Sequence, residues 1–131
     1  MSEENVEIVR RAYEAWASSD FETLFGLADE RVVIHRLPPL PAGTYHGHEG
    51  LIETSIEWSE DFAEWEIRAE ELFDLGDQVL VRVYQRAVGA GSGIPVESSY
   101  WFLHWLRNGK ITRLDFYMTE AQARKTAGLS E

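Results

Sequence analysis

Tyr13 and His35 are the side chains of this 131-residue chain whose types and placement best suit proton chemistry. Tyr13 lies on an apolar stripe with Val6, Val9 and Trp16, spaced three and four apart, which turns its phenol toward the interior of a helical fold. A buried phenol can donate a hydrogen bond to a developing negative charge, or satisfy its hydroxyl within a core. His35 ends the β-branched run Arg31-Val32-Val33-Ile34. Its imidazole, with an ordinary pKa of about 6.5, could take or give a proton near neutral pH, or bond a carbonyl of the proline loop that follows.

Three other clusters carry weaker chemistry. His46-Gly47-His48-Glu49 sets two imidazoles and a carboxylate within four residues, but the spacing is poor for one ion, and His48 or Glu49 can serve a helix N-terminus instead. Gly89-Ala90-Gly91-Ser92-Gly93 reads as a hairpin loop, since no Lys-Ser/Thr pair and no helix follow as a phosphate cradle needs. Arg82 and Arg86 share a strand face with Tyr84. They could meet an anionic ligand, and more readily pair with acidic residues across a subunit interface.

Composition narrows the classes. Twelve Lys and Arg against 23 Asp and Glu leave a net charge of −11, which argues against nucleic acid and anionic membrane surfaces as partners. There is no cysteine, so thiol nucleophiles, disulfides and Cys-ligated metals are excluded. Apolar residues make up 44% of the chain, enough for a packed core. The start, Met1-Ser2-Glu3-Glu4-Asn5, is unlike a targeting signal, and no apolar run approaches the roughly 20 residues of a spanning helix. The expectation is one cytoplasmic domain, residues 1–131.

The elements that must position these groups can be read in order. The Tyr13 stripe predicts a first helix, and Asp20 caps a second from Phe21 to Leu27. Arg31–His35 is a short strand, and Leu37–Gly43, with three prolines, a surface loop. Leu51, Ser55, Trp58 and Phe62 mark a third helix from about His48 to Asp61. Strands follow at Trp65–Leu75, Gln78–Ala90, Glu97–Arg107 and Lys110–Met118, the last two joined through Asn108-Gly109, a strong hairpin signal. Thr119 caps a short final helix, Glu120 to Ala127, ended by Gly128. Helices first and hairpin-linked strands after define an α+β fold with a curved antiparallel sheet.

Strand parity sorts the faces. Ser98, Tyr100, Phe102, His104 and Leu106 oppose Ser99, Trp101, Leu103 and Trp105, while Leu114, Phe116 and Met118 oppose Ile111, Arg113, Asp115 and Tyr117. Both faces are too apolar for water, and no segment is left to cover the second, so a homodimer is expected.

Several strings, in this order and spacing, resemble the NTF2-like superfamily, and within it the SnoaL-like proteins common in actinobacteria. They are residues Asn5 to Ala15, Asp20 to His35, Tyr45 to Leu51, Gly109-Lys110-Ile111 and Ala127 to Glu131. The resemblance covers essentially the whole chain. It implies a cone-shaped α+β barrel with one deep, mainly apolar pocket, its outer sheet face commonly a dimer interface. It leaves function open, because this superfamily holds ketosteroid isomerases, polyketide cyclases, epoxide hydrolases, dehydratases and non-catalytic binders.

Against the ketosteroid isomerases, Tyr13 stands at the place of the oxyanion-hole tyrosine and His35 at that of the general base. The place of their second oxyanion donor falls at Trp101, with no carboxyl at Ser99 or Leu103, so steroid isomerisation itself is not implied. Against the epoxide hydrolases, Arg82-Val83-Tyr84 lacks the first acid and Asp115 is out of step by one residue, which puts it on the opposite face. The reading is therefore a cofactor-free acid–base protein of isomerase, cyclase or hydrolase type for a small apolar carbonyl or hydroxyl compound. Tyr13 and His35 would be catalytic, and Trp16, Trp58, Trp101, Phe116 and Met118 the pocket walls. The alternatives are a non-catalytic small-molecule binder and a dimeric accessory module whose aromatics fill the cavity.

Overall fold

The computed structural model describes residues 2–36, 43–60 and 62–128. Met1, residues 37–42 of the proline loop, Asp61 and residues 129–131 lie outside them. Helix α1 (Ser2–Ala17) buries Val9, Ala12, Tyr13, Ala15 and Trp16, the stripe that its spacing predicts. Helix α2 (Phe21–Leu27) starts at Asp20, whose carboxylate accepts from the Thr23 amide at 3.2 Å and the Thr23 hydroxyl at 2.7 Å.

Strand β1 (Ala28–Arg36) leads to β2 (Gly43–His46), then α3 (Gly47–Ser59). Four strands of the sheet follow in chain order: β3 (Phe62–Asp74), β4 (Gln78–Gly89), β5 (Pro95–Arg107) and β6 (Lys110–Tyr117), before helix α4 (Glu120–Thr126). The six strands form one sheet in the order β2-β1-β6-β5-β4-β3. The β5–β6 turn has φ of 52° at Asn108 and 76° at Gly109, the doubly left-handed geometry that Asn-Gly favours.

Three expectations need correction here. The sheet is not wholly antiparallel: β1 and β6 pair in parallel, with Ile34 beside Leu114 and His35 beside Asp115. No hairpin joins these two, so nothing local fixes their relative direction. The short β2, which pairs antiparallel with β1, falls where no strand was expected. And the second sheet face is not left without cover. Helix α4, held by a Thr119–Gln122 capping box, brings Ala123 onto Leu80, Leu103 and Tyr117, with Trp101 and Trp105 packed beside them.

The main core lies on the other face, where α1 packs chiefly on β3 and α3 on β1. No helix among the described residues is long and apolar enough to cross a membrane.

Candidate functional site

Between the helices and the inner sheet face sits a cavity of about 40 Å³. Helix α1 supplies Tyr13 and Trp16, α3 supplies Thr54 and Ser55, and β5 and β6 supply His104 and Phe116. Ile111 and Leu114 both reach it, although simple alternation puts them on opposite faces. An irregularity in the β5–β6 register, where Trp105 pairs with Arg113 but Leu106 with Ile111, resets the parity, because an extra residue on one strand exchanges its faces.

The polar centre is a tyrosine–histidine pair. Tyr13 Oη and His104 Nε2 are 3.1 Å apart and both residues are buried. His104 Nδ1 lies 3.2 Å from the Val79 carbonyl oxygen. A carbonyl only accepts, so Nδ1 carries the hydrogen and Nε2 is left as acceptor. The Tyr13 hydroxyl therefore donates to His104, and its oxygen lone pairs are what it can offer a ligand. Burial, the dominant cause, pushes the His104 pKa down to about 4, so the ring is neutral at pH 7. Burial likewise raises the Tyr13 phenol well above its ordinary value. Both groups stay uncharged in the working pH range.

Two hydroxyls on α3 complete the polar lining. Arg36, 5% exposed at the end of β1, donates from Nε and Nη2 to Thr54 Oγ1 at 3.0 and 2.7 Å, and from Nη2 to the Thr54 carbonyl at 2.6 Å. Thr54 Oγ1 thus accepts twice, and its own hydrogen has no acceptor among the described residues. Ser55 Oγ donates back to the Leu51 carbonyl at 2.6 Å, which leaves its oxygen as an acceptor. Among the described residues, Thr54 offers the cavity a free hydroxyl hydrogen, Tyr13 and Ser55 offer acceptors, and the indole N–H of Trp16 is also without an acceptor.

Around these groups runs a nearly continuous set of rings. Phe102 and Phe116 stack with centroids 4.2 Å apart, and Trp16, Trp58 and Tyr13 each touch Phe102 within 6.4 Å. Buried Gln85 Oε1 accepts from the indole N–H of both Trp58 and Trp65, the latter at 2.9 Å. An indole N–H can only donate, so the amide oxygen must face the two rings.

The structure brings only some of the expected residues together. Tyr13, Trp16 and Phe116 line the cavity, and Trp58 packs behind it against Phe116 and Phe102. His35 does not meet Tyr13. Alternation turns Val32, Ile34 and Arg36 inward and buries them, so the half-buried His35 takes the other face, where Nδ1 lies 3.2 Å from Thr44 Oγ1. Trp101 also lies on the outer face, stacked on Phe73. Met118, just beyond β6, is exposed.

The sequence did not single out His104 and Thr54, which line the cavity, or Arg36 and Gln85, which hold Thr54, Trp58 and Trp65 around it. His104 had a legible signal: it shares parity with Phe102. Asp115 lies on the face opposite the cavity, 1% exposed, held by Arg113 at 2.8 and 3.0 Å and by the Tyr117 hydroxyl at 2.8 Å. Arg82 is not waiting for a partner subunit's acid, because it pairs with Glu71 of the neighbouring strand at 2.7 Å. His48 Nε2 donates its hydrogen to the Ala28 carbonyl, 3.0 Å away, and the ring stacks on Phe25. Among the described residues no three metal-ligating side chains converge.

This architecture, a six-stranded curved sheet packed on helices, is shared with proteins of known structure. A sequence profile of the SnoaL-like domain matches residues 9–114, and the chain belongs to that family. Bal32a, from a soil-derived mobile gene cassette, aligns with a TM-score of 0.80 at 22% identity, covering 93% of this chain and 94% of its own. TerC, crystallised with polyporic acid, aligns with a TM-score of 0.77 at 18% identity over 95% and 98%. A candidate SnoaL-like polyketide cyclase from Jannaschia sp. CCS1 gives 0.76 at 20% over 95% and 90%. Identities this low establish the NTF2-like fold and nothing finer. No curated protein sequence matches the chain.

Proposed function

We propose that the protein binds a small, largely apolar compound carrying a hydroxyl or carbonyl group in the inner chamber, without a cofactor. The observation that carries this is the Tyr13–His104 pair set in a mainly apolar wall. A ligand hydroxyl would donate to Tyr13 Oη and accept from Thr54, so that each polar atom it desolvates regains a partner. A carbonyl would use the Thr54 hydrogen. TerC, a relative in fold, is known in complex with polyporic acid, which supports a small-molecule role for this chamber.

A second reading, acid–base catalysis, is favoured by one feature: Tyr13 already shares its proton with a base behind it. A ligand proton could pass to Tyr13 Oη as the tyrosine proton moves to His104 Nε2. With the His104 pKa near 4, this base is weak at neutral pH, and binding is the better supported role. The outer-face rings Trp101 and Trp105, only partly covered by α4, support a homodimer through that face, which sedimentation equilibrium tests directly.

The functional test is a thermal-shift screen of wild type and Tyr13→Phe against phenols, cyclic ketones, lactones and fatty acids. A ligand at 100 times its Kd adds about 2.7 kcal/mol, a shift of several degrees for a chain this size. The expected result is a gain from phenols or ketones that shrinks in Tyr13→Phe. Equal gains in both proteins, or none with any compound, would remove the proposed role of the pair.

A further inference from the structure

The inner chamber is small. At about 40 Å³ it has room for roughly three water-sized spheres, whereas a cavity of about 150 Å³ is what holds a benzene ring. A second concavity of about 180 Å³ lies outside it, lined by Ser19, Phe21, Ile56, Ser59 and Trp65 together with Trp16 and Ser55. Trp16 and Ser55 are the two residues common to both linings. Ser55 is short and bonded to its own helix. The indole of Trp16 is therefore the bulk that separates the two spaces.

The three tryptophans near this boundary are not held alike. Trp58 and Trp65 are both tied through their N–H groups to Gln85 Oε1. The Trp16 N–H makes no hydrogen bond among the described residues, and its contacts are ring contacts. It meets Phe116 at 6.4 Å and 20°, and Trp65 at 5.4 Å and 65°. Moving Trp16 costs packing but breaks no polar bond, whereas moving either neighbour leaves a donor without its acceptor. The residue also closes α1, one position before its last residue, Ala17, and three before Ser19, which has φ of 59°.

We infer that Trp16 is a gate: its ring swings aside to join the outer concavity to the inner chamber, and so sets which ring sizes reach Tyr13. The inference rests on the binding reading above and adds the route and the residue that controls it. The incoming ligand takes the place of the indole against Phe116, so a flat ring replaces a flat ring.

The test is stopped-flow association of 1-naphthol with wild type, Trp16→Phe and Trp16→Ala, alongside equilibrium binding of 1-naphthol and 1-methylnaphthalene to wild type and Tyr13→Phe. Because the bound ring sits where the indole was, removing the indole removes a cost that wild type carries into the bound state, so both Trp16 variants should raise kon, by about tenfold or more for Trp16→Ala, and Kd should fall with it. Trp16→Phe keeps an aromatic ring in the core and serves if the alanine variant does not fold. An unchanged kon with a raised koff would make Trp16 an ordinary wall and overturn the gate. Loss of the 1-naphthol preference in Tyr13→Phe without that kinetic change would leave the binding reading standing alone. The kinetic change without any Tyr13 effect would leave the gate standing and remove the anchor. No binding to any variant would overturn both.

Discussion

The buried His104 makes stability depend on pH in a way one substitution can isolate. In the folded protein its pKa is about 4, and in the unfolded chain it is that of an ordinary imidazole, about 6.5. The folded pKa is the lower one, so between these values the unfolded state binds a proton that the folded state refuses. Stability is thus complete above about pH 6.5, falls as pH drops through the window, and levels off below about 4. A difference of about 2.5 pK units corresponds to about 3 kcal/mol across the window. Because carboxylates also titrate toward pH 4, the quantity to measure is a difference between proteins. His104→Gln keeps the geometry of the pair, with an amide oxygen for the Tyr13 hydroxyl and an NH₂ for the Val79 carbonyl, and is neutral at every pH. Urea unfolding followed by tryptophan fluorescence at pH 7, 6, 5 and 4 should show wild type losing about 3 kcal/mol more than His104→Gln, a midpoint shift of roughly 1–3 M. Parallel pH profiles would refute the reasoning, since they would mean that His104 is protonated in the fold or exposed to water.

Other consequences concern the supports of the site. Gln85→Leu leaves the indole N–H groups of Trp58 and Trp65 without their common acceptor, and should cost about 2 kcal/mol or more in urea unfolding. Asp115→Ala strips the Tyr117 hydroxyl and Arg113 of a buried partner; a loss of about 3 kcal/mol is expected, with 1-naphthol affinity little changed because Asp115 faces away from the chamber. Thr119→Ala removes the capping box that seats α4, which should lower stability by about 1 kcal/mol and increase protease cleavage in that helix.

The fold was legible in the sequence where local chemistry decides it. Asp20, Asn108-Gly109 and Thr119 each act within a few residues, and each occurs in the structure with the geometry its chemistry demands. What depended on long-range pairing was less legible. The parallel β1–β6 contact joins residues some eighty apart, and neither strand alone shows which way its neighbour runs. That pairing also decides the fate of His35, because the inward side of β1 is the one carrying Val32, Ile34 and Arg36. A β-branched run with apolar residues on both sides cannot reveal it. The register irregularity of β6 hid the inward turn of Ile111 for the same reason. Tyr13 was visible because a helix stripe reports burial directly. Its partner His104 stood in the parity of β5 with Tyr100 and Phe102, and only the meeting of α1 with that strand makes the two a pair. Trp101 was misplaced with the opposite parity set open to either face, and Met118 lies past the last residue that the sheet holds.

The central claim is that Tyr13, its proton committed to His104, presents an acceptor to a ligand hydroxyl. Calorimetric titration of 1-naphthol and 1-methylnaphthalene, which differ chiefly in hydroxyl against methyl, into wild type and Tyr13→Phe tests it most directly. Wild type should prefer 1-naphthol by about tenfold, the worth of one hydrogen bond of about 1.4 kcal/mol, and Tyr13→Phe should prefer 1-methylnaphthalene, because the hydroxyl then enters without its acceptor. An equal preference for 1-naphthol in both proteins would contradict it.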